Sequence, residues 1–409
     1  MLWPWNCFLS AAAYFQERFK ENSFLEENFQ SCIMTTSTVT ATTAMLVLSN
    51  YQKQANYTYR VWLALILNIA NFAILAISSI IGQSWPTGPY FFYLLVSVFF
   101  SALATSFLQN GGFAIANLFT PLYTQAIMVG QAVAGVLPSV AQIFSVLVVS
   151  SSSSNTESTS QSASSSFVYF LTASLVTVLT LFFFLGTVQR QKQIIKPVSA
   201  SNAVADEQDH DEPDRPESVL DEAAERRHVP LRTLFKKLDA LAFSVFFTFL
   251  ITMMFPVFAS NIQSVNYEEG VSNPASLYRP SVFIPLQYLI WNLGDLLGRL
   301  VCGNPKLVIR NPRKLATVSL ARTIFVFLFF LFNINGKGAV LQSDFIYSVV
   351  QLGFGISNGY VGSSSMMGAE SFVNEDEKEA AGGFMGLALN VGLAAGSLLS
   401  FILVAAIRD

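Results

Sequence analysis

The segment Trp291-Asn292-Leu293-Gly294-Asp295-Leu296-Leu297-Gly298-Arg299 sits inside an apolar run, residues 281–302, of membrane-span length. Asp295 and Arg299 are four residues apart, and Asn292 lies three residues before Asp295, so on a helix all three share one face. An acid, a base and an amide therefore converge in hydrophobic surroundings. Such groups are expensive to leave in lipid, so this face must look onto protein or a water-filled cavity. The remainder of the chain reads as the frame around this stripe.

The 409-residue chain is 52% hydrophobic and 12% charged, with 37 Phe and a mean hydropathy of +0.48. Soluble globular chains carry roughly 25% charged residues. The expected class is an all-α polytopic membrane protein. The net charge of -3 carries little information, because the charges concentrate in loops. His210 and His228 share one hydrophilic loop, which excludes a histidine metal site or proton relay within the membrane. Cys7, Cys32 and Cys302 are too widely spaced for a metal site or a disulfide framework. No cofactor, catalytic residue, nucleic acid or obligatory protein partner is expected. Met1 leads directly into an apolar, Trp-rich segment without a basic n-region, so no signal peptide is expected.

Apolar stretches near the ~20 residues that span a bilayer recur along the chain. They predict about eleven spans: 1–17, 31–49, 61–82, 90–113, 122–149, 167–188, 239–260, 281–302, 315–333, 344–368 and 380–407. The loops on one side (50–60, 114–121, 189–238, 303–314 and 369–379) hold sixteen Lys and Arg, against five on the other side. By the excess of basic residues on cytoplasmic loops, the N-terminus and loop 189–238 are expected in the cytoplasm. An odd span count then places Asp409 on the opposite side.

Loop 189–238 divides the spans six and five. Asp206, Glu207, Asp209, Asp211, Glu212, Asp214 and Glu217, interleaved with Pro213 and Pro216, predict disorder there. Residues 150–166 are mostly Ser and read as a flexible external loop. Asn56-Tyr57-Thr58 matches a glycosylation acceptor but falls on the cytoplasmic side.

Within the spans, departures from apolarity carry the information. Span two contains Thr35, Thr36, Thr38, Thr40, Thr42 and Thr43. Their hydroxyls either bond back to their own helix or line a cavity. Span four carries Gln109 and Asn110 before Gly111-Gly112. Gly130 and Gly135 in span five, and Gly382, Gly383, Gly386, Gly392 and Gly396 in span eleven, suit close helix packing. Span ten holds Ser357-Asn358-Gly359-Tyr360.

Taken in order, these patches resemble the equilibrative nucleoside transporter family. The matching motifs are Pro4-Trp5-Asn6 with Tyr14-Phe15, Gly130-Gln131 with Ala134-Gly135, and Asn292, Asp295 and Gly298-Arg299. Ser357-Asn358-Gly359-Tyr360 and Glu379-Ala380-Ala381-Gly382 complete the set. The resemblance implies a facilitative carrier with a major-facilitator-like fold. It further implies an N-terminal six-helix bundle (1–188), a cytoplasmic loop (189–238) and a C-terminal five-helix bundle (239–409). Trp5 and Gln109 are then expected at the nucleobase, Asp295 and Arg299 at the ribose hydroxyls, and Asn6 and Leu9 on the cavity wall. Asn292 joins the binding residues, Arg60 and Glu379 form a cytoplasmic gate, and Gly130, Gly135 and Gly359 are helix-packing positions. Thr105 stands where some relatives carry Gly, which narrows the cavity near the base.

The expected function is transport of nucleosides such as adenosine and uridine by alternating access, most simply by facilitated diffusion. The protein would reside in a plasma membrane or a vacuolar or lysosomal-type membrane, with the bilayer as its other partner. No P-loop signature is present to drive transport by ATP. A major-facilitator-type sugar or drug carrier is the alternative transport reading. An intramembrane aspartyl protease is the alternative of another class; it would need a second aspartate facing Asp295.

Overall fold

The computed structural model describes residues 6–8, 11–52, 55–151, 166–168, 170–189, 229–267 and 276–408. Of the loop 189–238 expected to be disordered, residues 190–228 lie outside these residues, as does most of the Ser-rich loop, but residues 231–238 are helical. Thirteen helices are named here: α1 (Ala12–Phe19), α2 (Ser23–Asn50), α3 (Tyr57–Ile81), α4 (Thr87–Asn117), α5 (Pro121–Ser151), α6 (Ser166–Gln189), α7 (Leu231–Thr252), α8 (Phe255–Asn261), α9 (Pro280–Val301), α10 (Pro312–Ala321), α11 (Thr323–Phe329), α12 (Asp344–Gly368) and α13 (Lys378–Arg408).

Their starts are written locally. The Asn56 side chain accepts from Tyr59 N at 2.8 Å, and the Asn311 side chain accepts from Arg313 N at 3.0 Å. Ser343 caps α12 through Ile346 N. Each supplies one of the backbone acceptors that a helix N-terminus lacks. Pro280 and Pro312 occupy first-turn positions, where a missing N–H costs nothing.

Among the described residues, six helices are long and apolar enough to cross a membrane. They cover Asn28–Asn50, Tyr57–Ser84, Thr87–Asn117, Ser166–Gln189, Leu231–Asn261 and Glu375–Ile407. Expected span five contains the shorter apolar helix Pro121–Leu137, and three others depart from the pattern for visible reasons. Expected span nine breaks at Arg322, between α10 and α11. Expected spans eight and ten, α9 and α12, carry Asn292, Asp295, Arg299 and Asn358 within their apolar runs. The outer surface is apolar: on α6, Leu171, Leu175, Val178, Leu179, Phe182 and Phe183 are exposed in one helical stripe. In water that stripe would be an aggregation surface; in a bilayer it faces lipid tails.

The site is positioned by a glycine seam. α9 packs against α12 over most of its length. A Cβ at Gly298 would lie 2.7 Å from Tyr360 N, and one at Gly355 would lie 2.9 Å from Asp295 N. Gly294 and Gly359 are equally close to the facing backbone. Small residues let the two backbones touch, which sets Asn358 of α12 beside Asp295 of α9. α9 also packs on α5, and α13 packs on α2, α4 and α7.

Candidate functional site

Asp295 and Arg299 are both buried, at 3% and 4% exposure, despite lying at membrane depth. Arg299 Nε donates to Asp295 Oδ2 at 2.9 Å, the i,i+4 pair expected from helix geometry. Arg299 Nη1 donates to Met128 O at 2.6 Å and reaches Gln131 Oε1 at 3.4 Å. Gln125 Nε2 donates to the Arg299 carbonyl. The pair therefore ties α9 to α5. On its other side, Asp295 Oδ1 accepts from Asn358 Nδ2 at 2.7 Å. Each carboxylate oxygen thus accepts one protein hydrogen bond and retains a second acceptor position.

These groups line a partly open cavity of about 280 Å³. That is near the lower end of the ~300–1,000 Å³ usual for small-molecule sites. Asn6, Gln109, Asn292, Asp295 and Arg299 all face it. Asn6 Nδ2 donates to Ala134 O at 2.6 Å. Asn292 Nδ2 donates to Tyr288 O at 2.8 Å and Ser139 Oγ at 3.2 Å. Gln109 Oε1 accepts from Asn390 Nδ2 at 2.9 Å, a contact between α4 and α13. Trp5 and Leu9 lie outside the described residues.

Of the six threonines of the Thr-rich helix, Thr38 and Thr42 face the cavity, while Thr35 and Thr43 are exposed. Ser37, Thr38, Ala41 and Thr42 of α2 line the wall, with Ser101 and Thr105 of α4. Thr42 Oγ1 and Trp291 Nε1 are buried without a protein hydrogen-bond partner, and both residues border the cavity. Trp291 stacks on Phe255 at 4.5 Å and 14°.

Arg60 and Glu379 do not line this cavity. Arg60 is buried at the start of α3, where it donates to Asn110 Oδ1, Tyr51 O and Leu48 O. Glu379 is half-buried in the first turn of α13. Among the packing glycines, a Cβ at Gly135 would strike the Asn292 side chain, and one at Gly359 would reach Arg299 Cγ at 3.0 Å. Gly130 requires a correction: it is exposed, and a Cβ there would meet nothing. It lies on an exposed face of α5, and among the described residues nothing stands where a helix contact was expected.

Several lining residues lay outside the expected set: Asn390, Gln131, Asn358, Thr252 and Trp291. Their signal is that of any amide, hydroxyl or indole at membrane depth, which alone does not separate cavity from helix contact. Asp239 borders a surface groove with Arg310 and Phe372, and Asp344 is held by Ser264 and Asn266 at a loop. Asp295 faces a guanidinium and an amide rather than either acid.

A buried ion pair opposite amides, on a cavity between packed apolar helices, is the outline of a membrane carrier for a small polar solute. The solved structures agree on the fold. A proton:xylose symporter of the major facilitator superfamily, XylE, is 10% identical, with a TM-score of 0.63 over 99% of this chain and 86% of its own. The human organic anion transporter MFSD10 is 15% identical, with a TM-score of 0.57 over 100% of this chain and 92% of its own. Sequence relatives are more specific. The nucleoside transporter FUN26 of Saccharomyces cerevisiae is 34% identical, over 99% of this chain and 82% of its own. Human equilibrative nucleoside transporter 1 is 27% identical, over 98% and 93%. The family profile described as nucleoside transporter matches residues 95–405, a range that takes in Gln109, Gln131, Asp295, Arg299, Asn358 and Asn390. The chain therefore belongs to the nucleoside transporter family, with the major facilitator fold.

Proposed function

We propose that this protein carries purine and pyrimidine nucleosides, adenosine and uridine among them, by facilitated diffusion. The observation behind this reading is the Asp295–Arg299 pair on the cavity wall, with Gln109 and Asn390 also lining it. A ribose diol presents donors and acceptors side by side. The free acceptor positions of Asp295 and the guanidinium of Arg299 meet both needs. Gln109 Oε1 is engaged by Asn390, so its Nε2 is the atom left to donate to a base carbonyl or ring nitrogen. Trp5, by family resemblance, would present an indole face to the base, and Leu9 would complete the apolar wall.

The architecture that goes with this function is eleven spans in bundles of six (1–188) and five (239–409), rocking about the central cavity. Loop 189–238 and the N-terminus would face the cytoplasm, in a plasma membrane or a vacuolar or lysosomal-type membrane. In that orientation the end closed by α13 against α2 and α4 is the cytoplasmic one, and Arg60 and Glu379 belong to its gate. Facilitated diffusion is the simplest reading of these charges: among the described residues Asp295 is the only acid on the cavity wall, and its Oδ2 accepts from Arg299 Nε.

The test is uptake of labelled uridine in cells lacking nucleoside transport, with and without a pH gradient. Wild type should show saturable uptake that collapse of the gradient does not change. Adenosine should compete and glucose should not. Asp295→Ala should abolish uptake while the protein still reaches its membrane. Normal uptake by that variant would overturn the assignment of the site, and competition by glucose would favour a sugar carrier.

A further inference from the structure

A second guanidinium lies behind the site. Arg322, at the break between α10 and α11, is 2% exposed and does not line the cavity. The helix tightens there: Phe325 N bonds to Arg322 O three residues back. A tight turn of this kind in mid-helix often marks a functional hinge or local strain. Each guanidinium nitrogen is engaged. Nε donates to Ser357 Oγ at 3.0 Å, and Nη1 donates to Thr248 O at 2.7 Å. Nη2 reaches Thr252 Oγ1 and Asn358 Oδ1, each at 3.3 Å. The guanidinium also lies 4.9 Å from the centre of the Phe354 ring. All of these partners are neutral, and no carboxylate lies within salt-bridge distance among the described residues.

An unpaired cation buried at membrane depth needs a reason. A chain of hydrogen bonds runs from Arg322 through Asn358 to the Asp295 carboxylate. The Asn358 amide has two faces. Its oxygen meets Arg322 and the Thr252 hydroxyl, and its nitrogen donates to Asp295 Oδ1. The cation fixes which way round the amide sits, because a flipped amide would turn N–H groups toward Arg322 and its oxygen toward a carboxylate. We propose that Arg322 is a positioning residue for substrate recognition: through Asn358 it orients the Asp295 carboxylate and so sets discrimination for the ribose hydroxyls. This inference rests on the reading of Asp295 as the ribose-binding group.

The test compares inhibition of labelled uridine uptake by uridine, 2′-deoxyuridine and 3′-deoxyuridine, with membrane abundance measured for each variant of the full chain. Wild type should prefer uridine over at least one deoxynucleoside by about 10-fold or more, as a hydrogen bond to a charged group allows. Arg322→Gln should bring that ratio close to one. Arg322→Lys retains charge but not the planar fork, and should give an intermediate ratio. Asn358→Ala should collapse the ratio as far as Arg322→Gln, and the double variant should be no worse than either single one. A wild type indifferent to the hydroxyls overturns the ribose reading of Asp295 itself. A wild type that discriminates, with Arg322→Gln lowering all uptake equally and keeping the ratio, overturns the role of Arg322 alone. Should the Arg322 variants not reach the membrane, an unchanged ratio in Asn358→Ala overturns the relay.

Discussion

Arg299 shows how much of the site depends on the shape of a cation rather than on its charge. Its Nε is committed to Asp295, while Nη1 is committed to Met128 O and the Gln131 amide. A lysine ammonium is a point charge on a flexible stem and cannot hold both directions at once. Arg299→Lys should therefore reach the membrane but raise the KM for uridine by about 10-fold or more, the loss expected for one charge-assisted hydrogen bond. An unchanged KM, measured by initial rates of uptake, would mean that charge alone matters. Asp295 and Arg299 are legible in the sequence because ionised residues in an apolar run are costly and need a reason. Asn390 is not, because one amide in a run of Leu, Ala and Val serves equally well as a helix contact. Its role comes from meeting Gln109, 281 residues away, which no local pattern encodes. Arg322 is visible in the sequence as an intramembrane cation, but its partner is a side chain on another helix.

At the scale of elements, the α9–α12 seam makes the site possible. The facing glycines bring two backbones into contact, and only then does Asn358 reach Asp295. A Cβ at Gly298 would meet the backbone of Ile356 and Tyr360, which cannot swing aside as a flexible side chain can. Overpacking of this kind costs about 1–3 kcal/mol or more, and the helices must part to relieve it. Gly298→Leu should therefore abolish uptake, whereas Gly130→Leu, on the exposed face of α5, should transport like wild type. Equal loss in both variants, with equal membrane abundance, would refute the seam. A glycine in sequence does not say whether its empty side meets a helix or lipid, and this is why Gly130 and Gly135 read alike before their surroundings are known. Hydropathy finds the long apolar helices but not the break at Arg322, because flanking Leu, Val and Phe continue across it.

For the whole molecule, the cavity is sealed at one end by α13 meeting α2 and α4. A Cβ at Gly383 would lie 2.8 Å from Asn110 Nδ2, and one at Gly386 would lie 2.8 Å from Met45 Cε. Ser49 Oγ donates to Gly383 O at 3.4 Å, and Asn117 Nδ2 donates to Lys378 O at 3.4 Å. Asn110 is held in turn by Arg60, so the α3 cation braces the seal from behind. In the proposed cytoplasmic gate these contacts part once per cycle. A bulky side chain at Gly383 penalises the sealed state but should leave a state with the helices apart untouched, and so shifts the population toward it. Thr42, on the cavity wall, reports that shift when replaced by cysteine in a background lacking Cys7, Cys32 and Cys302. Adding Gly383→Leu to Thr42→Cys should increase labelling by a membrane-impermeant thiol reagent applied from the side bearing loop 189–238, and should slow uptake. If the second substitution leaves labelling from that side unchanged, these glycine contacts are packing within a fixed wall, and the closing surface of the carrier lies elsewhere.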